Sequence, residues 1–339
     1  MPGLFDPMQV RGMSLRNRIM VSPMCQYQAE NDGKPTQWHV VHYGSLALGG
    51  AALLMVEATA VESRGRISER DLGLYNDEQA KSLADIVKFA HSQGTLIGVQ
   101  LGHAGRKADV TEAIVAPSSI AFSDKYKTPE AMSINDLNEV VDAFAAAAQK
   151  AVKAGFDCIE IHGAHGYLLH QFLSPISNQR ADEYGGNAES RVRFPRQVVE
   201  AVRQAVPETM PVFIRVSGSE YADNGYSIED MVYYCQQFKE SGVDLIDVSS
   251  GGNLPIAPPS IYAGYQVPFA EVIRAGTGVP VASVGMLDDP VLADSVVQSG
   301  RADLIAIARG FLRDKHWGHY AALTLGKAVN PPKPYERAY

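Results

Sequence analysis

The 339-residue sequence predicts a single-domain α/β protein built as a (β/α)8 TIM barrel, and three observations carry that prediction. Helix-like segments repeatedly end at a glycine, with a β-rich run starting one to three residues later. With two further β-rich runs that no glycine introduces, the count is about eight, the number a closed barrel requires. No glycine-rich turn follows the first run, where an open doubly wound sheet would carry its nucleotide turn; that place reads Ser22-Pro23-Met24-Cys25.

In order, the first run is Arg18-Ile19-Met20-Val21. Gly50 precedes residues 51–56, Gly94 precedes 96–99, and Gly155 precedes 157–161. Residues 212–216 form the middle run; Gly242, Gly278 and Gly300 then precede 244–248, 279–284 and 303–307. Glycine suits the left-handed residue that closes a helix. Near-continuously apolar strands alternating with helices imply a parallel sheet covered by helices. The clearest helix covers residues 135–154, where Leu137, Val140, Val141, Phe144, Ala148 and Val152 share a face, and Ser133 with Asp136 supplies a capping box. Proline and glycine cluster only at 251–259 and 331–334, so nothing reads as a linker. One domain over 1–339 is expected, with 102–128 as a loop insertion and 331–339 as a C-terminal tail.

Thirty Lys+Arg against 38 Asp+Glu give a formal charge of -8, the wrong sign for tracking phosphates, which argues against nucleic acid as a partner. At 46% apolar and 20% charged, the chain has ordinary globular composition. No apolar run approaches ~18 residues, and Met1-Pro2-Gly3-Leu4-Phe5-Asp6 lacks a basic region followed by an apolar stretch. A soluble, cytoplasmic protein with no membrane partner is expected. Cys25, Cys158 and Cys235 are odd in number and widely spaced, which fits reduced thiols; without a CxxC pair, zinc ribbons and cysteine-ligated clusters lack their ligands.

Barrel chemistry sits at the C-terminal ends of the strands. Those ends carry residues 22–25, Glu57 to Thr59, Gln100 with His103, His162 with His165, Arg215 with Ser217, Ser249 with Ser250, Gly285, and Arg309 with Gly310. Gly285 and Arg309, at the seventh and eighth strands, stand where barrels commonly bind a phosphate. His162 and His165 invite a metal reading, but the other ends offer amides, hydroxyls and arginine rather than further ligands; no metal is expected. Two neutral imidazoles beside Tyr167 can instead donate hydrogen bonds to an oxygen that gains negative charge. Arg215 lies in an apolar strand and must meet an anion, either a structural carboxylate or a cofactor that becomes negative on reduction. Cys25 either packs or faces the mouth.

The sequence resembles the Old Yellow Enzyme family of flavin ene-reductases, in its bacterial, thermophilic-like subgroup. The match runs from Leu15-Arg16-Asn17-Arg18 and residues 22–27 through Glu57-Ala58-Thr59-Ala60-Val61, residues 100–107 (QLGHAGRK), 162–167 (HGAHGY), 172–175 (FLSP) and 182–187 (DEYGGN) to Tyr335-Glu336-Arg337-Ala338-Tyr339. The resemblance implies noncovalent FMN held by Ser22, Pro23, Met24, Cys25, Ala58, Gln100, Arg215, Gly285, Ala308 and Arg309, with NADPH as reductant. It implies that Gln100 meets the pyrimidine edge and Arg215 the anionic reduced ring. It further implies a ping-pong cycle: NADPH gives hydride to FMN, then an activated alkene such as an enone takes it. His162 and His165 would hold the substrate oxygen, Tyr167 would protonate the α-carbon, and Tyr27 would line the pocket. The tail would place Arg337 in a neighbouring protomer's site, within a homodimer or homotetramer. Gly102 and Gly163 stand where alanine is common in the family, which bears on substrate preference. The competing readings are a metal-assisted barrel hydrolase, a flavin-binding protein with another acceptor, and a larger dienoyl-CoA or enoate reductase, which this chain is too short and too poor in cysteine to match.

Overall fold

The computed structural model describes residues 2–339. Eight parallel strands close into one barrel in chain order: β1 (Ile19–Val21), β2 (Leu53–Ala60), β3 (Leu96–Gly102), β4 (Cys158–Gly163), β5 (Val212–Ser217), β6 (Leu245–Ser249), β7 (Val281–Ser283) and β8 (Leu304–Ile307). Closure comes from β8 pairing with β1, Ile305 opposite Ile19 and Ile307 opposite Val21. The predicted single-domain (β/α)8 barrel is therefore what forms.

Strand faces alternate, so each strand feeds two cores. Met20, Leu53, Met55, Cys158, Phe213, Leu245, Ala282, Leu304 and Ala306 fill the lower interior. A hairpin of Met8–Val10 and Met13–Leu15, absent from the sequence reading, plugs that end with Val10, Met13 and Leu15. Space there is tight: a Cβ on Gly98 would lie 2.5 Å from Cys158 Sγ, so only glycine fits opposite that thiol. The opposite strand faces meet the helices in a second, larger core.

Those helices are α1 (Gln37–Ala47), α2 (Asp77–Ser92), α3 (Ile134–Ala154), α4 (Leu168–Leu173), α5 (Ala188–Ala205), α6 (Ile228–Glu240), α7 (Val267–Thr277), α8 (Pro290–Gln298), α9 (Arg309–Arg313) and α10 (Trp317–Thr324). The Ser133/Asp136 capping box opens α3, and Gly155, at φ 92°, closes it. After β3 the chain leaves the barrel through a 3₁₀ turn, Gly105–Lys107, and returns where Val115–Ala116 pairs in parallel with Glu130–Ala131. That pairing carries the excursion four residues past Thr128, to Met132 beside α3. β2 runs beyond its predicted end because a register shift between Val56 and Thr59 lets pairing with β3 resume. Among the described residues no helix is long and apolar enough to cross a membrane.

Candidate active site

The ends of β7 and β8 build a cavity of ≈ 230 Å³ lined by Gly285, Met286, Ala308, Arg309 and Gly310, with Arg215 and Ser249 at its inner side. Ala308 turns the chain out of β8 directly into α9. Gly285 takes φ 117°, a left-handed conformation, and a Cβ there would lie 2.8 Å from Gln266 Nε2. Ser22 is buried at the end of β1, and its hydroxyl has no hydrogen-bond partner. An orphaned donor and a cradle that any side chain would fill both await a polar ligand.

Ser22, Pro23, Met24 and Cys25 follow β1 in a loop that Glu57 pins: its carboxylate accepts Gln26 N–H at 2.7 Å and Tyr43 O–H at 2.8 Å, with His39 3.4 Å away. Glu57 therefore joins α1 to the loop; among the described residues no group of three or more His, Cys, Asp or Glu side chains is gathered as a metal site would need. Cys25 is half-buried, and burial together with Asp71 and Glu57 raises its pKa well above the ordinary thiol value, so it is a thiol. Tyr27 is exposed at φ 53°. Ala58 lines a narrow gap with His162, Tyr167 and Asp71. Burial pushes the Asp71 carboxyl up to about 7.

His162 and His165 meet with ring centroids 5.2 Å apart, edge to face. Burial, then Arg215, holds both well below the usual imidazole pKa, so both are neutral. Ala164 N–H donates to His162 Nδ1, which puts the proton on Nε2, 3.4 Å from His165 Nδ1; His165 Nε2 lies 2.7 Å from Ser249 Oγ. Tyr167 caps α4 and packs its ring on His162 at 4.8 Å. Burial raises its phenol well above 10, so it carries its proton. His103 lines the same narrow gap as Ala58, His162 and Tyr167, with its ring held in place: its Nε2 faces Glu62 at 2.8 Å and its Nδ1 accepts Gly105 N–H.

Lys107 ends the 100–107 motif. Its ammonium donates to His165 O at 2.9 Å and Gly252 O at 3.0 Å and lies 5.0 Å over the Tyr167 ring. His165, Gly166, Gly251 and Gly252 all have positive φ, so two left-handed turns abut and Lys107 ties them together. Burial and Arg106 lower its pKa to about 8. Arg215 meets the structural carboxylate the sequence allowed: its Nε is 3.1 Å from Asp247 Oδ2. Gln100 donates to Glu160 Oε1 at 2.7 Å. The signal for both partners was a carboxylate inside an apolar strand.

The cavity at the ends of β7 and β8, the neutral imidazoles and the protonated phenol thus share one mouth. Residues 3–325 match the family model described as NADH:flavin oxidoreductase / NADH oxidase. The chain belongs to that family. An NADPH dehydrogenase from Geobacillus sp. (strain WCH70) is 46% identical over 337 residues, 99% of this chain and 98% of that protein. One from Bacillus subtilis (strain 168) is 47% identical over 337 residues, 99% of each chain. The solved structure of morphinone reductase matches at TM-score 0.82 and 27% identity, over 98% of this chain and 92% of that one. The family member described here is an enzyme that uses noncovalent FMN with NAD(P)H as reductant. Its residues fit the cofactor, since the Gly285 cradle and the unpartnered Ser22 hydroxyl both lie at the ends of barrel strands.

Arg337 lies elsewhere. It is exposed in a terminal 3₁₀ segment, Lys333–Ala338, and the tyrosines on either side of it pack on α10 and its N-cap: Tyr335 on His316 at 5.6 Å and Tyr339 on His319 at 5.3 Å. His319 is held by Leu48 O before β2, at the barrel end opposite the mouth.

Proposed function

We propose that this oxidoreductase reduces activated C=C bonds, with enones as the substrate class, by a ping-pong cycle in one mouth. The observation that carries the reading is the neutral His162–His165 pair beside a protonated Tyr167. Ser22, Pro23, Met24, Cys25, Ala58 and Gln100 would face the ring of FMN, Arg215 its anionic form, and Gly285, Ala308 and Arg309 its phosphate. When bound, FMN accepts a hydride from NADPH and passes it to the substrate β-carbon.

The chain's own residues do the rest. His162 Nε2–H and His165 Nε2–H donate to the electron-withdrawing oxygen, His165 exchanging Ser249 for it and His162 giving up a long 3.4 Å contact. Both donors stay neutral, and each hydrogen bond strengthens as negative charge grows on the oxygen. Tyr167 O–H then delivers a proton to the α-carbon. Lys107 keeps Tyr167 and His165 in register. Tyr27 borders the substrate. Because the tail packs away from its own mouth, Arg337 would serve a second protomer's site, within a homodimer or homotetramer. Three free cysteines support a reducing, cytoplasmic setting.

Isotope placement tests the reaction. NADPH deuterated at the transferred position should label the β-carbon, and D2O the α-carbon on the opposite face. Turnover of NADPH with enone returned unlabelled would overturn the assignment and point to another acceptor, such as a quinone, a nitro compound or oxygen.

A further inference from the structure

Between the apolar floor and the mouth, the barrel encloses four polar side chains, Gln100, Glu160, Arg215 and Asp247, none more than 6% exposed. Strand register sets Gln100 opposite Glu160 and Arg215 opposite Asp247. Glu160 takes one hydrogen bond, from Gln100, while Glu160 Oε2 and both Asp247 oxygens have none. Two ionised carboxylates against one guanidinium would leave a net negative charge in a dry interior, which is far costlier than a neutral set. One of them must carry a proton. Asp247 lies 3.1 Å from the cation, whereas the one hydrogen bond Glu160 receives comes from a neutral amide.

We propose that Glu160 is a positioning residue that holds one proton at rest, keeping the cluster beneath the cofactor neutral so that Arg215 can receive an added negative charge. Burial, then Asp247, pushes Glu160 up to about 8, against the pull of Arg215. The other groups facing it stay uncharged: Gln100 from β3, Phe213 from β5, and on β4 itself Cys158, whose thiol burial raises well above its usual value, and the neutral His162. Hydride transfer brings two electrons and one proton, so the cofactor gains one negative charge. Below about pH 8 Glu160 is already protonated and nothing more is taken up. Above it, the ionised Glu160 takes one further proton from solvent as the cofactor is reduced.

The inference rests on FMN lying over Arg215, and its two tests separate. Infrared spectra of the FMN-loaded enzyme at neutral pH should contain a carboxylic-acid carbonyl band that is lost in Glu160→Gln and shifts in protein made with carboxyl-¹³C glutamate. No band that shifts with labelled glutamate, or no band in the wild-type-minus-variant difference, overturns the proposal; a band common to both proteins that shifts with labelled aspartate belongs to Asp71, whose carboxyl is pushed up to about 7. The labelling arm needs no variant, so misfolding of Glu160→Gln leaves it intact, and it can be repeated on FMN-free protein. Spectroelectrochemistry should show uptake rising from one to two protons per two electrons above about pH 8 in wild type and staying at one in Glu160→Gln. The same break in the variant would refute the link. Protein that never binds FMN would refute the cofactor placement while the infrared result still stands or falls by itself.

Discussion

Tyr167→Phe isolates the proposed proton donor, because the structure assigns the hydroxyl little else to do. Among the described residues it makes no hydrogen bond, while the ring packs on His162 at 4.8 Å and lies under Lys107 at 5.0 Å, contacts phenylalanine keeps. Stability should therefore change by no more than about 0.5 kcal/mol, the range of a substitution that breaks no buried interaction. The chemical step should change far more. Loss of a positioned general acid costs roughly 10²–10⁴ in rate, or about 2.7–5.4 kcal/mol on the barrier. Anaerobic stopped-flow reads the two halves separately: flavin bleaching by NADPH should stay near wild type, and reoxidation by an enone should slow by the full factor. Because burial holds the phenol well above 10, the wild-type reoxidation rate should lose no activity to phenol ionisation near neutral pH. Equal slowing of both halves, or destabilisation by several kcal/mol, would mean that Tyr167 shapes the site rather than supplying the proton.

Lys107→Met should change stability in a pH-dependent way. The folded pKa of Lys107 is lowered from 10.5 to about 8, so the native chain binds fewer protons than the unfolded one between those values. Wild-type stability should therefore rise relative to the variant from pH 8 to 10.5, by up to about 3 kcal/mol, in denaturation series at each pH; a flat difference would deny the buried ammonium. Gly285→Ala places a Cβ 2.8 Å from Gln266 Nε2 at φ 117°, and strain of roughly 1–3 kcal/mol should weaken FMN binding by about 10–100-fold in a fluorescence titration. Undiminished affinity would move the phosphate elsewhere. Truncation before Tyr335 should leave the barrel folded and alter enone turnover in the assembled enzyme, and unchanged kinetics would discard the shared site.

Six of the eight strands were legible because glycine at a helix end and an apolar run after it mark the helix-to-strand junction locally, while β1 and β5 show the apolar run alone. Gly155 and Gly278 do adopt the left-handed cap conformation that their positions imply. What sequence missed depends on chain segments far apart. The Met8–Val10 and Met13–Leu15 strands are three residues each, too short for a period, and gain their place only by plugging a closed barrel. The pairing of Val115–Ala116 with Glu130–Ala131 is likewise invisible until the excursion folds back.

At the mouth, strand ends told which residues gather but not what each one faces. Arg215 could have met a carboxylate or a cofactor from pattern alone; only the register of β5 with β6 supplies Asp247. His103 follows β3 and does line the mouth, but only the fold reveals that Glu62, 41 positions away, holds its imidazole there. Lys107 gained a role only when Gly252, 145 positions away, came within reach of its ammonium.

The central claim is that this mouth carries a flavin through a complete redox cycle, and the visible spectrum of the purified protein tests it most directly. Purified protein should show flavin absorption from noncovalent FMN, bleach when NADPH is added without oxygen, and recover its colour when an enone follows. A colourless preparation that takes up no FMN when offered it, or a bleached one that no enone restores, would contradict it.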